Sequence, residues 1–192
     1  MPTPSWRAAD AAHYAYLHPA ELTLQRRMEC LRHLREIGYQ VGAGFMVGSP
    51  RQTTATLWQD IQFIRTFRPE MCGIGPFVAT SGTPFAHEPS GSVQATLRLL
   101  SIIRLVHPRV LLPATTALGS MDPAGREKGI LAGANVVMPN ISPTEDRKLY
   151  RIYDGKLAGA DDIRVYRDEL SRRFEGIGYH LVVDRGDYKA SD

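Results

Sequence analysis

Short apolar runs rich in small residues alternate with helix-length stretches, and this alternation restricts the fold more than any other feature of the chain. The runs are 39–52 (YQVGAGFMVGSPRQ), 71–77 (MCGIGPF), 110–114 (VLLPA) and 135–138 (NVVM). Their spacing, roughly 25 to 40 residues, is the βαβ signature of a parallel sheet with helices packed outside it. In the first run Val41, Phe45 and Val47 supply β-favouring bulk without polar alternation, so that strand is expected to be covered on both faces. Gly42, Ala43, Gly44 and Gly48 leave room for a close approach by backbone or ligand; a crowded sheet centre would ask for the same residues.

Between the runs the apolar period changes to that of helices. Leu24, Met28, Leu31, Leu34 and Ile37 recur at three- and four-residue steps over 21–37, and Gly38 supplies a stop. Thr53 or Thr54 can cap a second helix with Leu57, Ile61 and Ile64 on one face. Ser92 can cap a third over 93–106 with Leu97, Leu100 and Ile103 inward. A short helix is expected over 124–132, ended by Gly133, and a last one over 161–174. Residues 1–19 read as a poorly ordered or weakly helical lead-in, 78–91 as a long loop, and 179–183 as a fifth strand or an extended tail. In such sheets ligands gather at the carboxyl ends of the strands. Here those ends carry Gly48-Ser49-Pro50, Gly75-Pro76-Phe77, Thr115-Thr116 and Met138-Pro139-Asn140. A closed (β/α)8 barrel needs eight strands and about 250 residues, so 192 residues with four clear strands and a fifth candidate are expected to form a partial barrel or a small open sheet.

Composition narrows the function classes. The chain is 43% hydrophobic and 22% charged, with a formal charge of +3. Its basic residues are scattered rather than gathered with aromatics into a stripe, which gives nucleic-acid binding little support. No run approaches the length of a membrane span, and a cytoplasmic location with no membrane partner is expected. The two cysteines, Cys30 and Cys72, lack metal-ligand spacing and are expected to be buried thiols. The six histidines are dispersed, without HExxH or paired spacing.

Taken together, GYQVGAGFMVGSPRQT, MCGIGPF, LLPATTALGS, GREKGILAGANVVMPNISP and KLYRIYDGK resemble the HydE maturases of FeFe-hydrogenase, within the biotin-synthase-like group of radical SAM enzymes. The likeness runs in one order from about residue 17 to 156 and covers what would be the second half of such a protein. It implies an α/β fold: a partial radical SAM (β/α) TIM-type barrel of four to five parallel strands with outer helices. The expected division is a lead-in at 1–19, the half-barrel at 20–158, and a helix and tail at 159–192. It also implies S-adenosylmethionine and a 4Fe-4S cluster as family cofactors, the cluster being held by a CX3CX2C loop. That loop is missing from this sequence, which has only two cysteines. A carboxylate that the family directs at S-adenosylmethionine is also missing, where Trp6-Arg7-Ala8 stands.

Residue by residue, the resemblance assigns Arg27 to the S-adenosylmethionine carboxylate, which a guanidinium fork suits. Met138 falls to the adenosyl pocket. Thr115 and Thr116 match a threonine pair in the barrel interior, and Tyr150 and Tyr153 a tyrosine pair near the substrate. Without the resemblance, Arg27 reads as a solvated helix residue, the threonines as strand-end hydroxyls bonded to backbone, and Met138 as core. Arg126 and Glu127 read as a family motif or as a salt-bridge pair at a helix start. The implied function is H-cluster assembly, with a 5′-deoxyadenosyl radical acting on a cysteine-bound iron precursor, and a small-molecule substrate. This chain would be inactive alone, and a partner half-barrel chain would carry the cluster. A methylornithine-synthase-type enzyme, a cluster-free binding module and a degenerate fragment are the alternatives.

Overall fold

The computed structural model describes residues 9–139 and 163–189. Asp10 accepts a hydrogen bond from the His13 amide and starts α1 (Ala11–Leu17), whose His13 and Tyr14 are buried. The segment read as a poorly ordered or weakly helical lead-in thus holds a capped helix with a buried face. Its run of small residues hides the two large ones that anchor it. Next comes α2 (Leu24–Glu36), capped by Thr23, with Leu31 fully buried. Gly38, at φ +96°, turns the chain out of the helix, as only a residue without a β-carbon does cheaply.

The sheet begins with β1 (Gly42–Ala43) and β2 (Met46–Val47), two pieces of one extended segment. Beside them run β3 (Met71–Cys72) and β4 (Gly75–Pro76), parallel to the first pair. The register sets Gly42 against Met71 and Ala43 against Cys72, then Met46 against Gly75 and Val47 against Pro76. The expected third and fourth strands appear as single parallel bridges, Met71 with Leu111 and Pro113 with Val136. Their chemistry explains the thin ladder: Pro113 has no amide to donate, and the Leu112 amide bonds the Asn135 side chain at 2.8 Å rather than a backbone carbonyl. Four extended segments therefore lie side by side in chain order. Residues 179–189 form no strand; Val182 and Val183 are exposed, while Leu181 packs inward and Tyr188 meets the His107 ring and donates its amide to Gln40, so the tail alternative holds for them.

Helices connect the segments. α3 (Thr54–Phe67) opens on a capping box between Thr53 and Thr56. α4 (Val93–Val106) is capped by Ser92 and buries Thr96, Leu99, Leu100 and Ile103; Leu97 is half-buried. α5 (Thr116–Met121) stands where the sequence suggested only a turn, because Thr115 caps it. α6 (Gly125–Leu131) follows, and α7 (Ile163–Glu175) is the last. One apolar cluster joins Leu31, Phe45, Ile64, Ile74, Leu100, Ile103 and Leu112 across the sheet and its helices. Full burial of each such side chain contributes about 1.5–3 kcal/mol. A second cluster packs Leu170 and Phe174 of α7 on Ala114, Ile130 and Ala134.

Candidate functional site at the strand ends

The carboxyl ends of the segments converge through close backbone contacts. The Phe77 amide donates to the Val47 carbonyl and the Gly91 amide to the Phe77 carbonyl, both at 2.8 Å. The returning end of loop 78–91 is thereby pressed onto two strand ends. A β-carbon at Gly91 would lie 2.0 Å from the Val47 oxygen, and one at Gly48 2.5 Å from Gly91 Cα. The glycines read as marks of close approach do serve that purpose here, for backbone.

Thr115 lies across the sheet from Gly75, its Oγ1 2.7 Å from where a β-carbon on that glycine would stand. The same hydroxyl accepts from the Leu118 amide at 3.5 Å, so the strand-end reading of a backbone-bonded threonine and a place at the strand ends hold together. Thr116 begins α5, and both threonines are half-buried. Arg27 occupies the first turn of α2 and is half-buried, whereas Arg26 beside it is exposed. Met138, at the end of the fourth segment, is 52% exposed and is therefore no core residue. Tyr150, Tyr153 and Asn140 lie outside the described residues, as does Trp6-Arg7-Ala8.

Several residues that the sequence did not single out sit at the same end. Gln52 accepts from the Gly48 amide at 2.6 Å and donates to the Met46 carbonyl at 2.8 Å. His13 Nε2 lies 3.0 Å from the Pro50 carbonyl and 3.4 Å from Ser49 Oγ, fastening α1 to the turn after β2. Arg51 holds its guanidinium 3.9 Å above the Tyr16 ring, and Tyr16 in turn meets Phe85 of loop 78–91 with centroids 5.6 Å apart. The Gly-Ser-Pro turn pointed to this place, but only the fold shows that α1 and the long loop meet on it.

Arg126 and Glu127 do not form the pair read from the sequence. Arg126 is buried and donates to the Tyr166 hydroxyl, while Glu127 binds Arg173, so both tie α6 to α7. Cys30 is exposed on α2, against the expectation of burial; it stands about 100° round the helix from the fully buried Leu31, beside the exposed Arg26 and His33. Cys72 is buried, and burial followed by the nearby charge of Asp60 pushes its thiol up to about 12. A 4Fe-4S cluster takes thiolates, and one exposed thiol with one buried, strongly protonated thiol does not fit it. Among the described residues, no group of three or more His, Cys, Asp or Glu side chains could hold a metal ion. A groove of about 370 Å³ between α2 and α3, lined by Met28, Arg35, Phe63 and Phe67, lies on the outer helical layer, away from the strand ends. No helix among the described residues is long and apolar enough to cross a membrane.

No protein-family model matches the chain. It is 39% identical over 163 residues to the [FeFe] hydrogenase maturase subunit HydE of Thermotoga maritima, covering 79% of this chain and 47% of that protein. It is 30% identical over 155 residues to the 3-methylornithine synthase of Methanosarcina acetivorans, covering 79% of this chain and 42% of the relative. A biotin synthase of Cupriavidus metallidurans is 28% identical over 117 residues, 60% of this chain and 34% of its own length. The crystal structure of methylornithine synthase (PylB) superposes with a TM-score of 0.72 at 21% identity, covering 93% of this chain and 51% of that one, which shows the same partial-barrel fold. The chain spans about half the length of the relatives it matches. Over the part it spans, the chain is similar to the biotin-synthase-like group of radical SAM enzymes, with HydE a relative at 39% identity.

Proposed function

We propose that this chain is the C-terminal part of a HydE-like radical SAM maturase acting in FeFe-hydrogenase H-cluster assembly, on a small-molecule substrate. The observation that carries the reading is the 39% identity to HydE, which exceeds the 30% to 3-methylornithine synthase over a similar span. In this reading Arg27 holds the carboxylate of S-adenosylmethionine and Met138 lies against its base. Thr115, Thr116, Tyr150 and Tyr153 face the substrate. The Thr115 hydroxyl can accept or donate toward a polar ligand while its second lone pair serves Leu118. Because its two cysteines do not fit a cluster, the chain makes no radical alone; a cluster-bearing half-barrel must complete it.

The test is reconstitution. The chain is co-expressed with a half-barrel carrying CX3CX2C, and S-adenosylmethionine-dependent release of 5′-deoxyadenosine is measured anaerobically. Activity is expected only with both halves, and Arg27→Gln is expected to raise the KM for S-adenosylmethionine about tenfold or more, the scale of a lost charge-assisted bond. A complex that forms, binds the cluster and shows no such release, or one indifferent to Arg27→Gln, overturns the reading. A second reading, a cluster-free binding module, rests on the same misfit of the cysteines. It requires that the chain alone bind S-adenosylmethionine or cysteine without iron.

A further inference from the structure

Among the described residues two other than glycine are held at positive φ: Arg51, at +61°, and Arg68, which ends α3. A β-carbon in the left-handed region costs about 1–2 kcal/mol, and backbone of this kind gathers where a ligand is held. Arg51 caps no helix, and α3 begins from Thr53 with its own capping box. Arg51 stands in the turn that follows β2, closed by the Gln52 amide donating to the Ser49 carbonyl. Its guanidinium carbon lies 3.9 Å from the centre of the Tyr16 ring, and Tyr16 in turn meets Phe85.

Stacking on a ring fixes the plane of a guanidinium while leaving its edge for hydrogen bonds. Among the described residues no acceptor takes a hydrogen bond from the Arg51 fork, and the residue is exposed. A planar cation is therefore held over Tyr16 of α1, which is itself backed by Phe85 of loop 78–91, while its donors meet no acceptor among the described residues.

From this geometry we infer that Arg51, on the Tyr16 and Phe85 shelf, is a carboxylate-binding residue of the strand-end site, taking a carboxylate group of a small-molecule ligand. A two-oxygen planar anion matches the fork bidentately. This deepens the proposed function, since it adds a second carboxylate contact to that site, distinct from the one assigned to Arg27.

The experiment follows the Arg51 side-chain Nε–H signal of the full chain by NMR. L-cysteine, L-cysteine methyl ester and inorganic phosphate are titrated in turn. L-cysteine is expected to shift the signal saturably, and the methyl ester, which lacks the carboxylate, to bind at least tenfold more weakly. Arg51→Gly keeps the left-handed turn accessible, so it folds, and is expected to abolish saturable L-cysteine binding seen at Tyr16 and Phe85. Arg51→Lys, with the charge but no fork, is expected to weaken it several-fold. Arg27→Gln is expected to leave the Arg51 response intact, so failure of the Arg27 assignment and failure of this one give different results. An ester as effective as the acid, phosphate as effective as L-cysteine, unchanged binding in Arg51→Gly, or no saturable shift with any probe overturns the assignment.

Discussion

A β-carbon on Gly44 would stand 1.8 Å from the Gly73 carbonyl oxygen, in the gap that divides β1 from β2 and β3 from β4. No side-chain rotation relieves a clash with backbone, so Gly44→Ala must part the two central segments. Loss of several kcal/mol is expected, about 3 or more by analogy with overpacked and strained sites, and urea denaturation checks it. Gly73→Ala, which meets nothing within 4 Å, is the matched control and should cost far less. The sequence made glycines in this stretch legible as close-approach residues, yet it did not distinguish Gly44 from Gly42, since the contact is made by a residue 29 positions away. His107 is a second case. It is fully buried, its Nε2 donates to the Pro69 carbonyl at 3.0 Å, and its Nδ1 accepts from Arg68 at 3.3 Å, so the ring is held neutral. Burial is the largest influence and lowers its pKa; the Pro69 bond opposes it, the Arg68 and Arg104 charges add to the lowering, and Glu70 opposes least. The unfolded chain therefore binds a proton that the folded one refuses. Stability from this residue is complete above the unfolded value of about 6.5 and declines as pH falls below it, by at most about 1.4 kcal/mol per pH unit. His107→Gln, which can still donate to Pro69, should flatten the decline between pH 7 and 5 in denaturant titrations. Parallel pH profiles for the two proteins would refute the account.

Helices were the more legible elements, because their signals are local. The Thr53 and Ser92 caps and the 93–106 boundary lie where the sequence places them. The strands were less so: Pro113 and the Asn135 side chain break a ladder that apolar content alone suggested, and Thr115 starts a helix in a stretch read as a turn. α7 illustrates contacts that no local pattern announces. Arg173 reaches Glu127 with two nitrogens and also the Pro123 carbonyl, and Arg126 reaches Tyr166. The Glu127 hydrogen bond, the largest influence on Arg173, raises its pKa further. Glu127→Gln keeps the volume but leaves the guanidinium without its anion, at a cost of about 1.5–3 kcal/mol for a charged hydrogen bond, less what solvent returns at this partly exposed place. Hydrogen exchange should show α7 opening at a lower free energy than α4. If α7 and α4 keep their wild-type difference in the variant, the clasp contributes nothing.

At the scale of the whole molecule, the first extended segment is an edge. The Val41, Ala43 and Val47 carbonyls accept from Met71, Gly73 and Phe77, so by the period of two the peptide groups of Gly42, Gly44, Met46 and Gly48 turn to the other side. Among the described residues no strand pairs there. Two of these groups are nonetheless occupied: the Gln52 carboxamide accepts from Gly48 and donates to Met46, as the peptide of a neighbouring strand would. An unpaired edge is a template for association with another chain, and a side chain that takes its donors and acceptors blunts it. Gln52→Ala releases both groups while leaving the core untouched. The variant is expected to self-associate at lower concentration than the wild type, with faster exchange of the Gly48 amide, and sedimentation velocity over a concentration series measures the first. Glu in place of Gln52 can still accept from Gly48 but cannot donate to Met46, so Gln52→Glu should fall between the two. If all three sediment alike while the Gly48 amide exchanges faster, Gln52 shapes the turn and leaves association to the groups of Gly42 and Gly44, where a completing half-barrel would then have to pair.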